Sequence, residues 1–480
     1  MSFTFDVANL IPVVPEIAIL VLASTVLVVD LYLKEEQKGV NHLLTVIGLL
    51  VAIGLTGVVG GGERQVVFDG SYVRDAMSDL LKILILVVSL FAFVYAKDYL
   101  RDRNMLTGEY YVLGLFAVLG MLIMVSANSF LTVYLGLELL ALCLYAMVAF
   151  DRDSKAGAEA AMKYFVLGAL GSGMLLYGVS MIYGATGSLE LGAVAEAVAE
   201  QGMQNKVLVF GLAFLVVGLG FKFGAVPFHM WVPDIYQGAP TPVVLFLGSA
   251  PKIAAFALAF RILVDGLGGL HTDWQGMLIV LSVLSMALGN VIAIAQSNIK
   301  RMLAYSTISH VGFIFLGLLA GTAQGYASAM FYASVYALMA AGAFGILVLL
   351  SRKGFDAEKL DDLKGLNERD SWYAAMMALI MFSMAGVPPT VGFMAKLLVL
   401  EAVVSIGLWW LAVIGVAFSI VGAFYYLRII KLMYFDKPET EEPLVAGAGA
   451  RVALSVNGLA MLVLGLFPAA LLSLCQAAFA

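Results

Sequence analysis

The sequence predicts an all-α polytopic membrane protein with about fourteen transmembrane helices. Of its 480 residues, 62% are hydrophobic and only 12% are charged, whereas about a quarter of the residues in a typical soluble domain are charged. Apolar runs of roughly twenty residues recur along the whole chain, and each is long enough to cross a hydrocarbon core of ~30 Å. We therefore expect residues 1–480 to form a single transmembrane domain.

The apolar runs give the spans in chain order. We predict them near residues 12–33, 40–60, 76–96, 109–127, 129–150, 158–184, 206–238, 242–264, 274–297, 302–320, 325–350, 372–405, 409–430 and 452–478. Residues 1–10 contain Asp6 and no basic residue, unlike the start of a secretory leader. Insertion through the protein's own helices is therefore expected.

Lysine and arginine are distributed unevenly between the two sets of alternate loops. One set holds nearly all of them, while the opposite set holds only Arg64, Arg74 and Lys206. Because basic loops tend to stay on the cytoplasmic side, we expect the loop at 351–371 to be cytoplasmic. An even number of spans then places both termini outside.

Cysteine and histidine usage argues against a redox centre in this chain. The two cysteines, Cys143 and Cys475, both fall within apolar spans, and an iron–sulfur cluster usually needs four thiolates. The four histidines form no metal-ligand motif. We therefore expect no metal and no cofactor in this chain, and no nucleic-acid partner.

Two predicted spans, 206–238 and 372–405, are too long for one straight helix and are interrupted near their middles. Gly224 and Pro227 interrupt the first, and Gly386 with two following prolines interrupts the second. Proline removes a backbone donor and clashes with the preceding turn, and broken backbone at membrane depth is tolerated only where protein or a water-filled cavity satisfies it. The breaks therefore suggest an ion path, although two simple proline kinks would leave the same pattern.

The two broken helices lie five spans apart, which suggests two five-helix repeats. An odd number of spans in each repeat forces opposite orientations, with an ion path between the repeats. We place repeat one at about 109–264 and repeat two at about 274–430, with flanking helices at 12–96 and 452–478.

Three lysines lie too deep in their spans to reach water easily. Lys222 precedes the first break, Lys252 is central in its span, and Lys396 follows the second break. A charge near the centre of a span costs about 2.5–3.5 kcal/mol on insertion scales, so it rarely persists without a role. We predict that these lysines translocate ions; a lysine held by a carboxylate for packing is the alternative.

Glu138 is the only carboxylate in the middle of a predicted span. A nearby opposite charge favours both ionised forms, whereas desolvation favours the neutral forms. We therefore expect Glu138 to pair with Lys222 and to switch when a proton or a neighbouring charge arrives. A static ion pair is the alternative.

Three further side chains are predicted to support these four. His229 follows the first break and His310 is central in its span; histidine is the natural proton relay near neutral pH, although a buried histidine can equally be a satisfied core residue. Lys163 lies one and a half turns inside its helix and either supports the row or snorkels to the surface.

Other charges near span ends are interpreted as structural. Asp79 and Lys82, three residues apart on one helix, are expected to pair with each other. Arg261 is expected to snorkel to a membrane face. Lys300 and Arg301 are expected to act only as cytoplasmic flanking charge.

Three stretches resemble the antiporter-like membrane-arm subunits of respiratory complex I, the NADH:quinone oxidoreductase. LGFKFGAVPFHMWVPDIYQGAPTPV at 219–243 resembles their broken seventh helix, and NIKRMLAYSTISHVGF at 298–313 resembles their tenth-helix signature. AGVPPTVGFMAKLLVL at 385–400 resembles their broken twelfth helix. The resemblance covers essentially the whole chain. Three features favour one branch among the three large subunits: Lys396 in place of a glutamate, the segments PFHMW and IYQGAP, and an end after the fourteenth span.

The resemblance implies a proton-translocating subunit with roles for particular residues. Glu138 and Lys222 match the family's carboxylate–lysine pair, Lys252 matches the connecting lysine, and Lys396 matches the terminal lysine proposed to pass protons outward. His229 and Lys163 match positions thought to assist hydration and coupling.

The resemblance also implies an assembly and a location. Subunits K and M of the membrane arm are the expected neighbours, within the lipid bilayer of a bacterial inner (plasma) membrane. FMN, iron–sulfur clusters and quinone are expected in partner subunits, and quinone reduction there would drive the protons here.

Two other functions stay open on the sequence. One is a subunit of a multi-subunit sodium/proton antiporter or of a membrane-bound hydrogenase, both from the same superfamily. The other is a scaffold that has lost transport, which the intact lysine series argues against. Co-purification with NADH-oxidising, cofactor-bearing partners would separate these alternatives.

Overall fold

The fold is that of a polytopic helical membrane protein. The structure is a computed structural model that describes residues 7–201, 205–351, 353–439 and 447–480. In these ranges, thirteen helices are long and apolar enough to cross a membrane. Two fifteen-residue apolar helices flank the second predicted break and supply a further crossing. The predicted fold class is confirmed.

The first part of the chain forms three long helices and a small hairpin. A 3₁₀ segment at Val7–Val13 leads into α1 (Val14–Asp30), α2 (Gly39–Val59), β1 (Gln65–Val67), β2 (Tyr72–Arg74) and α3 (Ala76–Asp102). The two strands pair antiparallel. Asp75 starts α3 because its side chain accepts from the Ser78 N–H.

The central part carries the first broken helix. Its helices are α4 (Gly108–Val125), α5 (Phe130–Val148), α6 (Lys155–Thr186), α7 (Leu191–Gln201), α8 (Lys206–Phe223), α9 (Trp231–Gly238), α10 (Thr241–Gly248) and α11 (Ala250–Phe260), which continues as a π-helical turn at Arg261–Gly266. The short helix α7 lies between two predicted spans.

The last part carries the second broken helix. Its helices are α12 (His271–Ile294), α13 (Ile299–Leu319), α14 (Ala323–Leu350), α15 (Leu366–Arg369), α16 (Ser371–Ala385), α17 (Val391–Ser405), α18 (Trp409–Phe435), α19 (Ala448–Leu466) and α20 (Ala469–Ala477). The predicted last span at 452–478 is thus divided between α19 and α20.

Both predicted helix breaks are present. Gly224 follows the last residue of α8 and Gly386 follows the last residue of α16, with φ of +75° and +84°. This left-handed conformation carries little strain for glycine and satisfies the last carbonyls of a helix. Residues 224–230 and 386–390 are non-helical, and each break contains a cis X–Pro peptide bond. The boundaries of the two repeats stay a prediction.

The span that carries Lys252 is also interrupted, which the sequence did not reveal. Ser249 separates α10 from α11 and has φ −112° and ψ −92°. Pro251 follows in the first turn of α11, where the missing N–H is tolerated. Lys252 therefore lies at the start of a new helix rather than inside a continuous one.

Three segments form the centre of the molecule. The apolar windows of Thr241–Gly266, Ile299–Leu319 and Ala323–Leu350 are entirely buried, whereas only 28% of the window in Trp409–Phe435 is buried. The central segments carry Lys252 and His310, so both side chains are enclosed by protein rather than by lipid. The candidate site is built around this centre.

Candidate functional site

Glu138 on α5 and Lys222 on α8 approach each other inside the protein. Glu138 Oε1 lies 3.9 Å from Lys222 Nζ, within ion-pair reach. The amine donates its hydrogen bond to Ser172 Oγ on α6, at 2.7 Å. Among the described protein groups, Glu138 Oε1 has no hydrogen-bond partner although it is buried. The lysine is thus held by a neutral hydroxyl, with an unsatisfied carboxylate beside it.

Lys222 and Lys252 line the same interior cavity. The cavity has a volume of about 40 Å³, which is enough for one or two water molecules. Most of its other walls are apolar or aromatic, among them Leu140, Tyr164 and Trp231. A water molecule here would have few partners besides the two amines, so hydration of the cavity depends on their charge.

Lys252 has a backbone carbonyl as its partner instead of a carboxylate. The side chain is 3% exposed, and Nζ donates to the Phe223 carbonyl at 2.8 Å. Phe223 is the last residue of α8. The amine also lies 5.7 Å from the centroid of the Trp231 ring, within the range of a cation–π contact.

Lys396 repeats this arrangement at the second break. Its Nζ donates to the carbonyl of Ala385, the last residue of α16, and to Ser419 Oγ on α18, both at 2.8 Å. It lies 5.3 Å from the centroid of the Phe313 ring. A Cβ at Gly386 would come within 2.9 Å of Lys396 Cδ, so the break packs directly against the lysine.

The first break therefore supplies a backbone carbonyl to Lys252, and the second break supplies one to Lys396. The C-terminal end of a helix carries a partial negative charge from its unsatisfied carbonyls. Half-helices of this kind bind cations at membrane depth in transporters. In the described residues, neither Lys252 nor Lys396 has a carboxylate within salt-bridge distance, so the helix ends take the place of a counter-ion.

His310 lies in a chain of hydroxyl groups. Its Nδ1 is 2.7 Å from the Tyr332 hydroxyl and its Nε2 is 3.1 Å from the Tyr426 hydroxyl. The Tyr426 hydroxyl is in turn 2.5 Å from Ser306 Oγ. A hydroxyl can both donate and accept, and a neutral imidazole has one donor and one acceptor nitrogen. The hydrogen bonds that link these groups can therefore run in either direction.

The other two supporting residues lie apart from this group. His229 is half-buried beside the first break, and its Nδ1 has no hydrogen-bond partner among the described protein groups. Lys163 is half-buried and forms ion pairs with Glu159 and Asp234, both at 2.9 Å. The structure thus does not join either of them to the three deep lysines.

The hydroxyl partners of the site escape detection in the sequence. Ser172, Ser419, Tyr332 and Tyr426 are uncharged and common in membrane helices, so nothing in their cost of insertion makes them stand out. In the described residues, no group of three or more His, Cys, Asp or Glu side chains is arranged to hold a metal ion.

The predicted pairing of Asp79 with Lys82 is wrong. Lys82 Nζ lies 2.9 Å from Glu16 Oε1 and donates to the Tyr72 hydroxyl at 2.7 Å. Asp79 pairs with Arg74 at 3.4 Å. The pairing changes because side chains from α1 and β2, Glu16 and Tyr72, reach Lys82, which is 1% exposed.

The interpretation of two other charges, Arg261 and Lys300, is also wrong. Arg261 does not snorkel: it is 2% exposed and pairs with Asp75 and Asp265 at 2.7 and 2.8 Å. Lys300 is 2% exposed and contacts Glu358 at 2.7 Å. Lys300 is buried because the Ile299 N–H donates to the Glu358 carbonyl. This hydrogen bond holds the loop after α14 over the start of α13.

Removal of Lys82 is expected to destabilise the protein more than removal of the whole pair. Lys82→Met leaves the Glu16 carboxylate buried without its cation, and breaking a buried pair in this way costs about 3–5 kcal/mol. The double variant Glu16→Gln, Lys82→Met removes both charges and is expected to recover most of that loss. The measurement is the thermal midpoint of the assembled protein in detergent. Equal midpoints for the single variant and the native protein would contradict the pairing.

The chain is similar to known membrane proteins over nearly its whole length. Residues 127–422 match the sequence family described as NADH:quinone oxidoreductase/Mrp antiporter, TM. A protein from Thioalkalivibrio sulfidiphilus named NADH-quinone oxidoreductase subunit N is 58% identical over 476 residues, which cover 99% of both chains.

Solved structures show the same fold. A chain of respiratory complex I from Thermus thermophilus, solved with bound aureothin, is 33% identical, with a TM-score of 0.83 over 96% of this chain and 98% of that one. A chain of an archaeal membrane-bound sulfane sulfur reductase is 26% identical, with a TM-score of 0.85 over 97% and 96%.

Proposed function

The chain belongs to the NADH:quinone oxidoreductase/Mrp antiporter family, in its subunit N branch, and on that premise we propose that it translocates protons as a subunit of a bacterial NADH:quinone oxidoreductase. The observation that carries the proposal is the interior cavity shared by Lys222 and Lys252. Two buried amines on one small cavity can exchange a proton through water, which separately packed lysines could not do.

The proton path is proposed to run from Glu138 and Lys222 through Lys252 to Lys396. The Glu138–Lys222 distance of 3.9 Å and the shared cavity support its first half. Its second half is proposed to run past Phe223 and Phe315, whose ring centroids are 4.9 Å apart. A neutral hydroxyl or a carbonyl holds each amine, so no step has to break a closed salt bridge.

His310 is proposed to border the outward end of this path. The Phe313 ring lies between Lys396 and the histidine's hydroxyl chain: it is 5.3 Å from Lys396 Nζ and stacks on Tyr332 at 5.9 Å. Tyr332 binds His310 directly. A small displacement of Phe313 would allow a water molecule to connect the Lys396 amine with the hydroxyl groups around His310.

The energy for transport is proposed to come from partner subunits. FMN, iron–sulfur clusters and quinone are assigned to those partners, and subunits K and M are the proposed neighbours in the membrane arm. This chain supplies proton-binding side chains and no redox chemistry. Co-purification with an NADH-oxidising assembly tests the assignment.

A subunit of another respiratory or antiporter complex is the second candidate. The archaeal sulfane sulfur reductase chain shares the fold at 26% identity, against 58% for the subunit N relative. The higher identity over 99% of both chains favours the oxidoreductase. Purification with an assembly that does not oxidise NADH would favour the second candidate.

Reporter fusions test the proposed orientation in the bacterial inner membrane. A fusion at residue 360, in the loop after α14, is expected to report a cytoplasmic location, because that side carries most of the lysine and arginine. Fusions at both termini are expected to report the outside. A periplasmic signal at residue 360 would reverse the inner and outer ends of the path.

A further inference from the structure

A polar surface cavity lies beside the N-terminal part of α6 and beside α9, on the side of the molecule whose loops carry most of the lysine and arginine. Its volume is about 380 Å³, and its walls include Asp151, Glu159, Lys163, Asp234, Lys300 and Glu358. This end of the molecule is the one assigned to the cytoplasm under the proposed function. We call this cavity the vestibule.

The vestibule and the cavity between Lys222 and Lys252 are separated by a thin wall. On α6, Lys163 lines the vestibule and the next residue, Tyr164, lines the interior cavity. On α9, Asp234 lines the vestibule and Trp231 lines the interior cavity. Three residues on α9 rise about 4.5 Å and adjacent residues on α6 rise about 1.5 Å, so less than one helical turn of either helix divides the two spaces.

Two layers of contacts close the seam between these helices. The outer layer is ionic: Asp234 binds Lys163 on α6 at 2.9 Å and Arg301 on α13 at 2.7 Å. The inner layer is aromatic: the Tyr164 and Trp231 rings stack with centroids 5.0 Å apart and planes 13° from parallel. Helix α9 has only eight residues and starts directly after the first break.

Trp231 also has space into which it can move. A second, mostly apolar cavity of about 120 Å³ lies beside its ring, lined by Gly171, Pro227, Phe228 and Met230. This cavity opens to the surface of the chain, since Met230 in its wall is 69% exposed, so the ring borders free space on that side. One hydrogen bond holds the indole, from Nε1 to the Phe221 carbonyl at 2.9 Å.

We propose that the seam between α6 and α9 is a gate, and that displacement of Trp231 from Tyr164 admits cytoplasmic water and protons to the cavity between Lys222 and Lys252. The inference rests on the proposed function for its direction, but the gate itself is a property of the packing. The Asp234 ion pairs hold α9 in the closed position, and the stack excludes water beneath them.

Thiol accessibility in membrane vesicles tests the gate without relying on proton pumping. In the assembled complex, Cys143 and Cys475, both buried, are replaced by alanine, and Ala255→Cys places one thiol on the cavity wall. The probe is a membrane-impermeant trimethylammonium-ethyl methanethiosulfonate, added to inside-out or right-side-out vesicles. With Trp231→Ala, labelling from the cytoplasmic side is expected to be roughly tenfold faster, which corresponds to ~1.4 kcal/mol in the opening equilibrium.

Matched variants distinguish the gate from general loosening. Phe214→Ala removes a different ring contact of α6, an edge-to-face contact between Phe214 on α8 and Tyr177 on α6 at 4.9 Å, and is expected to label slowly, as is Trp231→Phe. If Trp231→Ala does not assemble, Asp234→Asn takes its place under the same criterion.

Equal labelling in Trp231→Ala and Phe214→Ala, or equal labelling from both sides, would overturn the gate. Fast cytoplasmic labelling together with normal pumping by Lys252→Ala would keep the gate and remove the proposed function.

Discussion

Replacing Lys252 by alanine is expected to lower quinone-linked proton transfer by roughly tenfold or more, equivalent to at least ~1.4 kcal/mol on the barrier. The lysine lines the interior cavity and donates to the carbonyl end of α8. Without it, the wall between the two broken helices is apolar, and a proton would have to cross without a site. Proton uptake per NADH oxidised in vesicles measures the effect.

A surface lysine supplies the control for this variant. Lys206 is exposed at the start of α8, so Lys206→Ala is expected to leave proton transfer unchanged. The amount of assembled complex and its NADH oxidation with an artificial acceptor show whether Lys252→Ala is intact. Native proton transfer in intact Lys252→Ala would contradict the path.

Replacing Glu138 by alanine is expected to impair pumping without preventing assembly. Its carboxylate lies 3.9 Å from Lys222 and carries an unsatisfied buried oxygen. Its loss leaves Lys222 with only the Ser172 hydroxyl, so the amine loses the charge that would alternate with it. The exposed carboxylate of Glu196 on α7 gives the control, Glu196→Ala, which is expected to behave as the native chain.

A double variant distinguishes a relay from a static ion pair. If the pair serves only packing, Glu138→Ala with Lys222→Ala removes both charges and should restore function, because no unpaired charge stays buried. If the pair relays protons, the double variant should pump as poorly as either single variant. Recovery in the double variant would demote the pair to packing.

The sequence predicts the positions of the deep charges well, because a charge in the middle of an apolar span is costly to insert and rarely occurs without a role. Lys222, Lys252 and Lys396 are each surrounded by apolar residues in the sequence. The glycine and proline at each break likewise have direct backbone consequences, and both breaks are found where predicted. These signals are local and need no knowledge of neighbouring helices.

The partners of these charges cannot be predicted in the same way. The carbonyls of Phe223 and Ala385 are backbone groups, which every residue has, and only the packing of other helices selects them. Ser172 and Ser419 are inconspicuous serines until the lysines reach them. The sequence therefore predicts the charged residues of the site but not the groups that bind them.

Charges near helix ends show the opposite failure. Lys82 is expected to pair with Asp79, and Arg261 and Lys300 are expected to reach a membrane face, yet each of the three is at most 2% exposed. A hairpin, a π-helical turn and a folded-back loop cover them. Burial at a membrane surface depends on such irregular segments, which have no hydrophobic period to predict them.

The most direct test of the account is proton translocation by the Lys252→Arg variant of the assembled complex. Arginine keeps the positive charge and can reach the same carbonyl, but it does not release its proton at any pH relevant to the cell. The measurement is protons moved per NADH oxidised, compared with the native chain and with Lys252→Ala. A relay predicts that arginine fails as alanine does. Native stoichiometry with arginine would show that a fixed charge is sufficient and that Lys252 passes no proton.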